Sequence, residues 1–300
     1  MRSRAFSFSL RRRRCERPAS VTGSGRAVLD IWWSAAARPV LEASAAQWRP
    51  ILAKGTIMDL DLLADHELEC ALVVVAHPDD VDFAAAGTVA RWTAAGATVV
   101  YCIVTDGEAG FVDAGAGRDA RAATRRAEQR AAGRAVGVTD IRFLGYPDGE
   151  LTPSLSLRRD ICRVIRQVRP KRVLTHSPEM AWEMPVASHP DHRATGEAAF
   201  AAVYPDSRNP LAHHGLLTEE NLAPWTVREV WTMGGPRSNH HPDVTDTFER
   251  KVAALRAHLS QVGEAEGLGE RLRGRHVALG SQSGLPAGRL AERFLAALVG

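Results

Sequence analysis

The sequence predicts an α/β domain in which a mostly parallel central sheet is flanked by helices, and two features carry this prediction. The run Leu72–Val75 is short, β-branched and uninterrupted by polar residues, which is typical of a strand buried on both faces of a parallel sheet. Downstream of this run, strand-like and helix-like segments alternate, as they do in layered domains. Open sheets of this kind bind ligands at the carboxyl ends of their strands. We therefore expect a layered, Rossmann-like domain with its functional site at that edge.

Helix and strand alternate in the first half of the domain. Residues Phe83–Ala95 are rich in alanine and predict a helix that ends at Gly96, because glycine commonly follows the last helical residue. Thr98–Val104 is again apolar and β-branched, and predicts the second strand. Residues 105–117 are rich in Gly and Asp and predict a rim loop. The next segment, Arg118–Val136, predicts a long basic helix.

The middle of the domain repeats this pattern. A strand is predicted at Ile141–Leu144, a helix at Leu157–Val168 that a nearby proline stops, and a strand at Arg172–Thr175. Residues 177–188 predict a loop, and Arg193–Val203 continues the helix that follows it.

The last third of the chain has a weaker pattern. Residues 205–224 are polar and His-rich and are a candidate substrate or oligomer loop. A late strand is predicted at Val227–Thr232, an amphipathic helix at Thr247–Leu259, and a terminal helix at Arg289–Leu298.

A cluster of acids and a histidine follows the first predicted strand. The pentad AHPDD at residues 76–80 would bring His77, Asp79 and Asp80 out of the carboxyl end of that strand, where ligands bind. The alternative is structural, because an aspartate near the start of a helix is usually a cap.

A second cluster, HPDH at residues 189–192, completes the predicted site. Proline suits the first position of a helix, and a helix would put His189 and His192 on the same side. An isolated His-Pro-Asp is most often a turn, and we interpret the copy at residues 241–243, which lacks the second histidine, as a loop. Two imidazoles and a carboxylate form a common ligand set for catalytic zinc, with one position left to water. The two clusters together therefore predict one metal-hydrolase site.

Several further motifs lie between Glu69 and Gln261. In chain order the set is AHPDD with Gly87-Thr88, VTDGEAG at 104–110, Arg125-x-x-Glu128, FLGYPDG at 143–149, VRP at 168–170 with LTH at 174–176, HPDH at 189–192, and more weakly Val230-Trp231 and DVTD at 243–246. In this set the chain resembles the LmbE-like or PIG-L family of zinc-dependent N-acetylglucosaminyl deacetylases. The resemblance covers most of residues 69–261 and neither end of the chain.

The resemblance implies a role for each residue of the two clusters. It makes His77, Asp80 and His192 the ligands of one zinc ion per chain, Asp79 the general base, and His189 the charged partner of the oxyanion and the leaving group. The chemistry supports this division, because zinc acidifies bound water and a carboxylate that is not a ligand can take the proton. An imidazolium beside the metal would stabilise the oxyanion.

Three more residues are expected near the pocket. The resemblance suggests that Arg125 or a neighbour reaches a sugar hydroxyl and that Asp148 lies near the substrate. The structural alternatives are a solvent-facing pair of Arg125 with Glu128, and a simple turn at Asp148-Gly149. Asp191 is expected either to cap the helix or to orient a ligand imidazole from behind.

The chain departs from the family pattern at two positions. Many members have Glu after the double Asp, whereas this chain has Val81 and then Asp82. Some sugar deacetylases of the family have a Tyr two residues before HPDH, and here that residue is Ala187. Neither departure removes a predicted ligand.

The composition is that of an ordinary globular enzyme. The 300 residues are 45% hydrophobic and 24% charged, enough for one large core. The four cysteines form no CxxC and are expected to be reduced, buried thiols. No apolar run has the length of a membrane span, so we expect a cytoplasmic protein with no membrane partner.

The N-terminal segment differs in charge from the rest. Residues 1–57 hold 11 Lys and Arg against 3 Asp and Glu, a net charge of +8 in a chain whose total is +3. The run Arg11–Arg14 could indicate a nucleic-acid arm or a targeting segment. We favour a disordered extension or a misassigned start, with the deacetylase domain at 58–300, because Met58 lies shortly before the first motif.

The sequence thus predicts a zinc-dependent hydrolase that removes the N-acetyl group from a small N-acetylglucosamine-type sugar or glycoconjugate. One alternative is an amidase that cleaves a larger acyl group from a glucosaminyl thiol conjugate. An alternative of another class is a nucleic-acid binder that uses the basic N-terminal arm. Homo-oligomer formation is left open.

Overall fold

A six-stranded sheet forms the centre of the domain. The computed structural model describes residues 60–110 and 115–300. The strands of the sheet are β1 (Cys70–Val75), β2 (Thr98–Thr105), β3 (Asp140–Tyr146), β4 (Arg172–His176), β5 (Glu229–Met233) and β6 (Leu295–Leu298). Their order across the sheet is β3-β2-β1-β4-β5-β6. All neighbouring pairs are parallel except β5 with β6. The prediction of a mostly parallel sheet is confirmed.

The strand order reverses between β1 and β4. From β1 the chain adds β2 and β3 on one side, and it then returns to add β4 and β5 on the other. The two central strands are in register, with Leu72 opposite Val173 and Val74 opposite Thr175. A crevice opens outside the carboxyl ends of two such strands, because their connections leave in opposite directions. This is the edge at which the sequence predicts the site.

Helices cover both faces of the sheet. In chain order they are α1 (Asp80–Ala84), α2 (Ala86–Ala94), α3 (Arg118–Ala135), α4 (Leu155–Val168), α5 (Pro190–Val203), α6 (Gly215–Thr218), α7 (Phe248–Arg256), α8 (Leu259–Val262) and α9 (Leu268–Gln282). Short 3-10 turns lie at Asp65–Glu67, Pro185–Ser188, Asp206–Arg208 and Thr245–Thr247. The layered α/β arrangement agrees with the sequence prediction.

Alternate residues of β1 face the two helical layers. Val73 belongs to the apolar cluster that contains Trp92 of α2, whereas Leu72 belongs to the cluster that contains Ile161 of α4. All four side chains are fully buried. Burying one such side chain stabilises the fold by roughly 1.5–3 kcal/mol. The strand is apolar along its whole length because neither of its faces meets water.

The helix predicted at Phe83–Ala95 is two helices. Ala85 separates α1 from α2 with a φ of −141° and a ψ of 2°, outside the helical region. The carboxylate of Glu292 accepts hydrogen bonds from the backbone N–H groups of Gly87, at 3.1 Å, and Thr88, at 2.8 Å. These donors at the start of α2 are therefore satisfied by a distant residue that local sequence does not reveal.

The prediction of a terminal helix at Arg289–Leu298 is wrong. Its last residues form β6, which pairs antiparallel with β5 through Thr232 with Leu295 and Val230 with Ala297. Alanine and leucine favour a helix locally. If these residues were helical, however, the backbone N–H and C=O groups along the edge of β5 would have no strand to pair with, so the segment pairs with β5 instead. The preceding helix α9 was not predicted at all.

Two further expectations concern the chain as a whole. None of the helices in the described residues is both long enough and apolar enough to cross a membrane. Cys70, Cys102 and Cys162 are free thiols, as predicted. The predicted N-terminal extension, residues 1–57, and the fourth cysteine, Cys15, lie outside the described residues.

Candidate metal centre and active site

The predicted site residues meet in one pocket at the carboxyl edge of β1 and β4. The pocket has a volume of about 330 Å³, at the low end of the range for small-molecule sites. Its lining includes His77, Asp79, Arg125, Asp148, His189 and His192. Six of the eight predicted site residues therefore line it, and the other two, Asp80 and Asp191, contact residues in its wall.

The carboxylate of Asp80 lies between the two histidines that the sequence pairs with it. Its Oδ2 is 3.3 Å from Nδ1 of His77, and its Oδ1 is 3.0 Å from Nε2 of His192. Oδ2 also accepts the backbone N–H of His77 at 2.7 Å. The predicted triad is thus assembled around one carboxylate, with one nitrogen of each ring facing it.

The opposite nitrogen of each ring is already bonded to the protein. Nε2 of His77 lies 3.0 Å from Oδ1 of Asp148 and 3.2 Å from Oδ2 of Asp191. Nδ1 of His192 lies 3.2 Å from the carbonyl oxygen of Ala187, so it carries the proton and donates it. Histidines that bind metals usually have their other nitrogen held by a carboxylate or a carbonyl in this way.

The charge balance of the centre favours a cation. Burial lowers the pKa of His77, but Asp80, Asp148 and Asp191 outweigh it and raise that pKa to about 12. Burial would raise the pKa of Asp80, yet His192, His176 and His77 hold it well below its usual range. The cluster of carboxylates therefore holds positive charge strongly. A divalent metal ion, which needs ionised carboxylates and neutral imidazoles, fits this donor set.

Groups of possible ligand atoms overlap at this place. Three sets each have their donor atoms within 4.8 Å of one another, and their members are His77 with His189 and His192, Asp80 with His176 and His192, and His77 with Asp148 and Asp191. His77 and His192, the two histidines that the sequence predicts as ligands, each belong to two of the three sets.

Asp79 has a backbone conformation that is unusual for an aspartate. Its φ is +89°, in a region that costs a non-glycine residue about 1–3 kcal/mol. It stands at the N-cap position of α1, but its side chain makes no capping hydrogen bond. The carboxylate instead accepts from Nη1 of Arg125 at 3.2 Å. The capping alternative does not describe this residue.

The ionisation of Asp79 suits proton transfer near neutral pH. Burial raises its pKa to about 6, Asp80 also raises it, and Arg125 opposes both. Nη2 of Arg125 donates to the carbonyl oxygen of Pro78 at 2.6 Å, which anchors the guanidinium at the pocket wall. Arg125 is only 3% exposed, so it is no solvent-facing partner of Glu128, whose carboxylate bonds Ser260 instead.

His189 differs from the expected imidazolium. Its Nδ1 accepts the backbone N–H of Asp191 at 3.2 Å and so caps the start of α5. A ring nitrogen that accepts a hydrogen bond carries no proton, so this arrangement requires a neutral ring with its proton on Nε2. Burial lowers the pKa of His189, and the charges of His77 and His192 add to that shift.

The two acids behind His77 are held by backbone groups. Asp191 is fully buried, and its carboxylate accepts from the N–H groups of Gly149, at 2.7 Å, and Leu151, at 3.2 Å, as well as contacting His77. Of its two predicted alternatives, the contact with the imidazole is the one seen. Asp148 accepts the N–H of Ala109 at 2.9 Å with the oxygen that does not face His77.

A fourth histidine, which the sequence shows only within the LTH motif at 174–176, lies beside the candidate ligands. His176, at the end of β4, stacks on His192 with ring centroids 4.1 Å apart. Its Nε2 is 3.1 Å from Oδ2 of Asp80 and 3.2 Å from the backbone nitrogen of Ala76. Burial lowers the pKa of His176 to about 4. Its position at the carboxyl end of a central strand was the available signal.

No tyrosine takes the position left by Ala187. The chain's three tyrosines, Tyr101, Tyr146 and Tyr204, all belong to the described residues, and none lines the pocket. Tyr146 donates to Asp160 at 2.7 Å, and Tyr101 is fully buried. A side chain that takes the place of that tyrosine would have to be one of the other residues of the pocket wall.

The pocket lies where the strand order reverses, and its histidines and aspartates are typical of a metal-dependent hydrolase. Residues 72–203 match the family described as PIG-L: GlcNAc-PI de-N-acetylase. The chain belongs to this PIG-L, or LmbE-like, family.

Relatives and a solved structure agree with this assignment. The diacetylchitobiose deacetylase of Thermococcus kodakarensis is 31% identical over 66% of this chain and 72% of its own. A probable N-acetyl-alpha-D-glucosaminyl L-malate deacetylase 2 of Bacillus cereus is 32% identical over 63% of this chain and 82% of its own. The structure of N,N'-diacetylchitobiose deacetylase from Pyrococcus horikoshii superposes with a TM-score of 0.71 and 29% identity, covering 86% of this chain and 92% of that one.

Proposed function

We propose that this chain is a zinc-dependent hydrolase that removes the N-acetyl group from an N-acetylglucosamine-type sugar or glycoconjugate. The observation that carries the proposal is the carboxylate of Asp79, which caps no helix and borders the pocket beside His77 and Asp80. Relatives named as deacetylases of such sugars support the substrate class.

We propose His77, Asp80 and His192 as the residues that hold one zinc ion. Their support is the pair of ring nitrogens that face the Asp80 carboxylate while the opposite nitrogens are bonded to the protein. When bound there, zinc would act as a Lewis acid that acidifies water and polarises the substrate carbonyl.

Asp79 is proposed as the general base. With a pKa raised to about 6, it is largely ionised at pH 7 and still basic enough to accept a proton from water. The oxygen of that water adds to the amide carbonyl carbon. The C–N bond then breaks, and the amine leaves with the proton that Asp79 took from the water. Acetate and the free amino sugar are the products.

His189 and Arg125 have complementary roles in this proposal. The Nε2–H group of a neutral His189 can donate a hydrogen bond to the oxyanion. The capping contact at Nδ1 keeps the imidazole ring in one orientation. Arg125 keeps Asp79 partly ionised and lies at the pocket wall with Asp148, where both can bond sugar hydroxyls.

The amidase alternative is less well supported by the pocket. A volume of about 330 Å³ suits one sugar ring with an acetyl group better than a larger acyl chain. A role in nucleic-acid binding rests on residues 1–57 alone and stays a hypothesis from their charge. We also propose a cytoplasmic location, supported by the free thiols of Cys70, Cys102 and Cys162.

The test is acetate release from a panel of N-acetylglucosaminides. The panel contains diacetylchitobiose, an N-acetylglucosaminyl malate, an N-acetylglucosaminyl inositol and a glucosaminyl thiol conjugate with a longer acyl group. We expect acetate and a free amine from at least one acetylated member, and a larger acid from none. Release of the longer acyl group alone would favour the amidase.

The matched control is Asp79→Asn, which keeps the size of the side chain. It should keep its zinc and lose activity by roughly 100-fold or more, the scale for removing a general base. Asp80→Asn should lose zinc affinity as well. If the two variants exchanged these behaviours, the assignment of base and ligand would be wrong.

A further inference from the structure

A buried glutamine contacts the backbone of the proposed base. Oε1 of Gln129, in α3, accepts the N–H of Asp79 at 2.7 Å. Gln129 is fully buried, and its other amide atom, Nε2, donates to Oδ2 of Asp82 at 2.9 Å. An amide N–H can only donate and an ionised carboxylate can only accept, so the orientation of the Gln129 side chain is fixed by its two neighbours.

Asp82, the acid that accepts the second hydrogen bond of Gln129, is itself buried. Asp82 and His258 are both fully buried, and Nε2 of His258 lies 2.9 Å from Oδ2 of Asp82. Among the described residues, no partner exists for Oδ1 of Asp82 or Nδ1 of His258. Buried polar groups are costly unless they are bonded, so this cluster needs a reason to persist in the interior.

The backbone that Gln129 contacts is the strained one. Asp79 has a φ of +89°, and the sequence offers no glycine there to relieve it. Strained positions persist only where surrounding contacts hold them. The N–H of Asp79 and its side chain are both held from α3, by Gln129 and by Arg125 respectively.

We propose that Gln129 and Asp82 are positioning residues, which hold the backbone of Asp79 in its left-handed conformation and so direct the carboxylate into the pocket. The proposal rests on the proposed function, in which Asp79 is the base. Neither residue is among those that line the pocket. Gln129 supplies the acceptor, and Asp82 keeps the glutamine amide from turning over.

The experiment compares Gln129→Leu with two variants of Asp82. Leucine has nearly the size of glutamine and removes both hydrogen bonds. We expect kcat on diacetylchitobiose to fall about 10- to 100-fold, the scale of a misplaced catalytic group, with KM and zinc content unchanged. Asp82→Leu should do the same. Asp82→Asn, whose amide oxygen can still accept from Gln129 and His258, should restore most of the rate.

A destabilised control separates positioning from loss of stability. Ile161→Ala, in α4 on the opposite face of the sheet, removes a fully buried side chain that does not contact Asp79. It should lower the thermal midpoint and leave kcat unchanged at 25 °C. Equal kcat values for Gln129→Leu and Ile161→Ala at matched folded fraction would overturn the proposal, as would an inactive Asp82→Asn that still folds.

A structural readout keeps this test independent of the proposed chemistry. A crystal structure of zinc-loaded Gln129→Leu should show Asp79 with a negative φ or with its carboxylate turned out of the pocket. An unchanged φ near +89° with the carboxylate still directed into the pocket would overturn the positioning role. Full activity of Asp79→Asn would instead contradict the proposed base, while the φ in Gln129→Leu would still decide what Gln129 does.

Discussion

At the residue scale, the site depends on which nitrogen of each imidazole is already bonded. Nδ1 of His192 donates a hydrogen bond to the carbonyl oxygen of Ala187, and His77 directs Nε2 to Asp148 and Asp191. Those contacts leave Nδ1 of His77 and Nε2 of His192 facing Asp80. The orientation of each ring, and the nitrogen that it directs toward Asp80, are therefore set by the fold.

The first prediction concerns metal content. Purified protein should contain about one zinc ion per chain, because three ligands with one open position form a catalytic zinc site. His77→Ala and His192→Ala should lose it, as measured by elemental analysis. Asp191→Asn should keep the ligands but weaken zinc affinity by about 10- to 100-fold, the usual effect of removing the partner of a ligand histidine.

Asp79→Asn is the matched control here, since it removes a carboxylate next to the ligands and should leave the zinc in place. A His192→Ala variant with its full complement of metal would remove that residue from the ligand set.

The second prediction concerns pH. Asp79 acts in its ionised form, and burial raises its pKa to about 6. We therefore expect kcat to reach its maximum above this pH and to fall as the pH decreases through it. Bound zinc would lower this pKa further, so the acidic limb should lie at or below about pH 6. Arg125→Gln removes the positive charge that favours the ionised carboxylate, and it should move the limb to higher pH.

Arg126→Gln is the control, because Arg126 neighbours Arg125 in α3 but pairs with Asp106. Its pH profile should match that of the unchanged protein. An acidic limb that stays in place in Arg125→Gln would show that another group sets it.

At the element scale, a buried ion pair connects the last segment of the chain to two helices. Glu292 precedes β6 and accepts from Nζ of Lys251, in α7, at 2.7 Å, and from the first N–H groups of α2. Burial would raise the pKa of Glu292, but Lys251 lowers it below the usual value. The pair therefore replaces the cap that the start of α2 lacks.

The third prediction tests this pair. Glu292→Ala leaves the ammonium of Lys251 buried without a counter-charge, which should lower the free energy of unfolding by about 3–5 kcal/mol in urea titrations. The matched control is Glu249→Ala, which alters a residue of α7 itself. The contact of Glu249 with Arg273 is exposed and should be worth about 0–1 kcal/mol. Equal losses in the two variants would contradict the structural role.

Elements differed in how far sequence could predict them. The parallel strands β1 and β2 carry runs of apolar residues, a signal that is local because both faces are buried. By contrast, β6 consists of Leu-Ala-Ala-Leu, and its strand conformation depends on the distant edge of β5. The break at Ala85 likewise depends on Glu292.

The candidate site shows the same limit. Its clusters could be predicted because residue type and spacing express metal chemistry directly. The neutral state of His189 could not, since it depends on the backbone N–H of Asp191 in a formed helix. Gln129 gave no signal, because a glutamine in a basic helix is ordinarily a surface residue.

At the scale of the whole molecule, the fourth prediction concerns residues 1–57. Their composition offers no buried face, so limited proteolysis should trim the chain to a stable product that begins near Met58, identified by mass spectrometry. A variant that begins at Met58 should keep all deacetylase activity. Any nucleic-acid affinity of the full chain should be lost with the segment and should fall steeply with salt. Resistance of the full chain to protease would count against an extension.

The pairing of β1 with β4 also bears on the order of events during folding. His77 and Asp80 follow β1 near the start of the domain, whereas His192 follows β4, so the long segment between them must fold before the proposed ligands meet. Closing so long a loop is slow compared with forming a helix. Competence to capture zinc should therefore arise late in refolding, and a zinc-responsive dye would time the docking of the two halves of the sheet. Bound zinc should then stabilise the folded state relative to the unfolded one, because only the folded state brings the proposed ligands together.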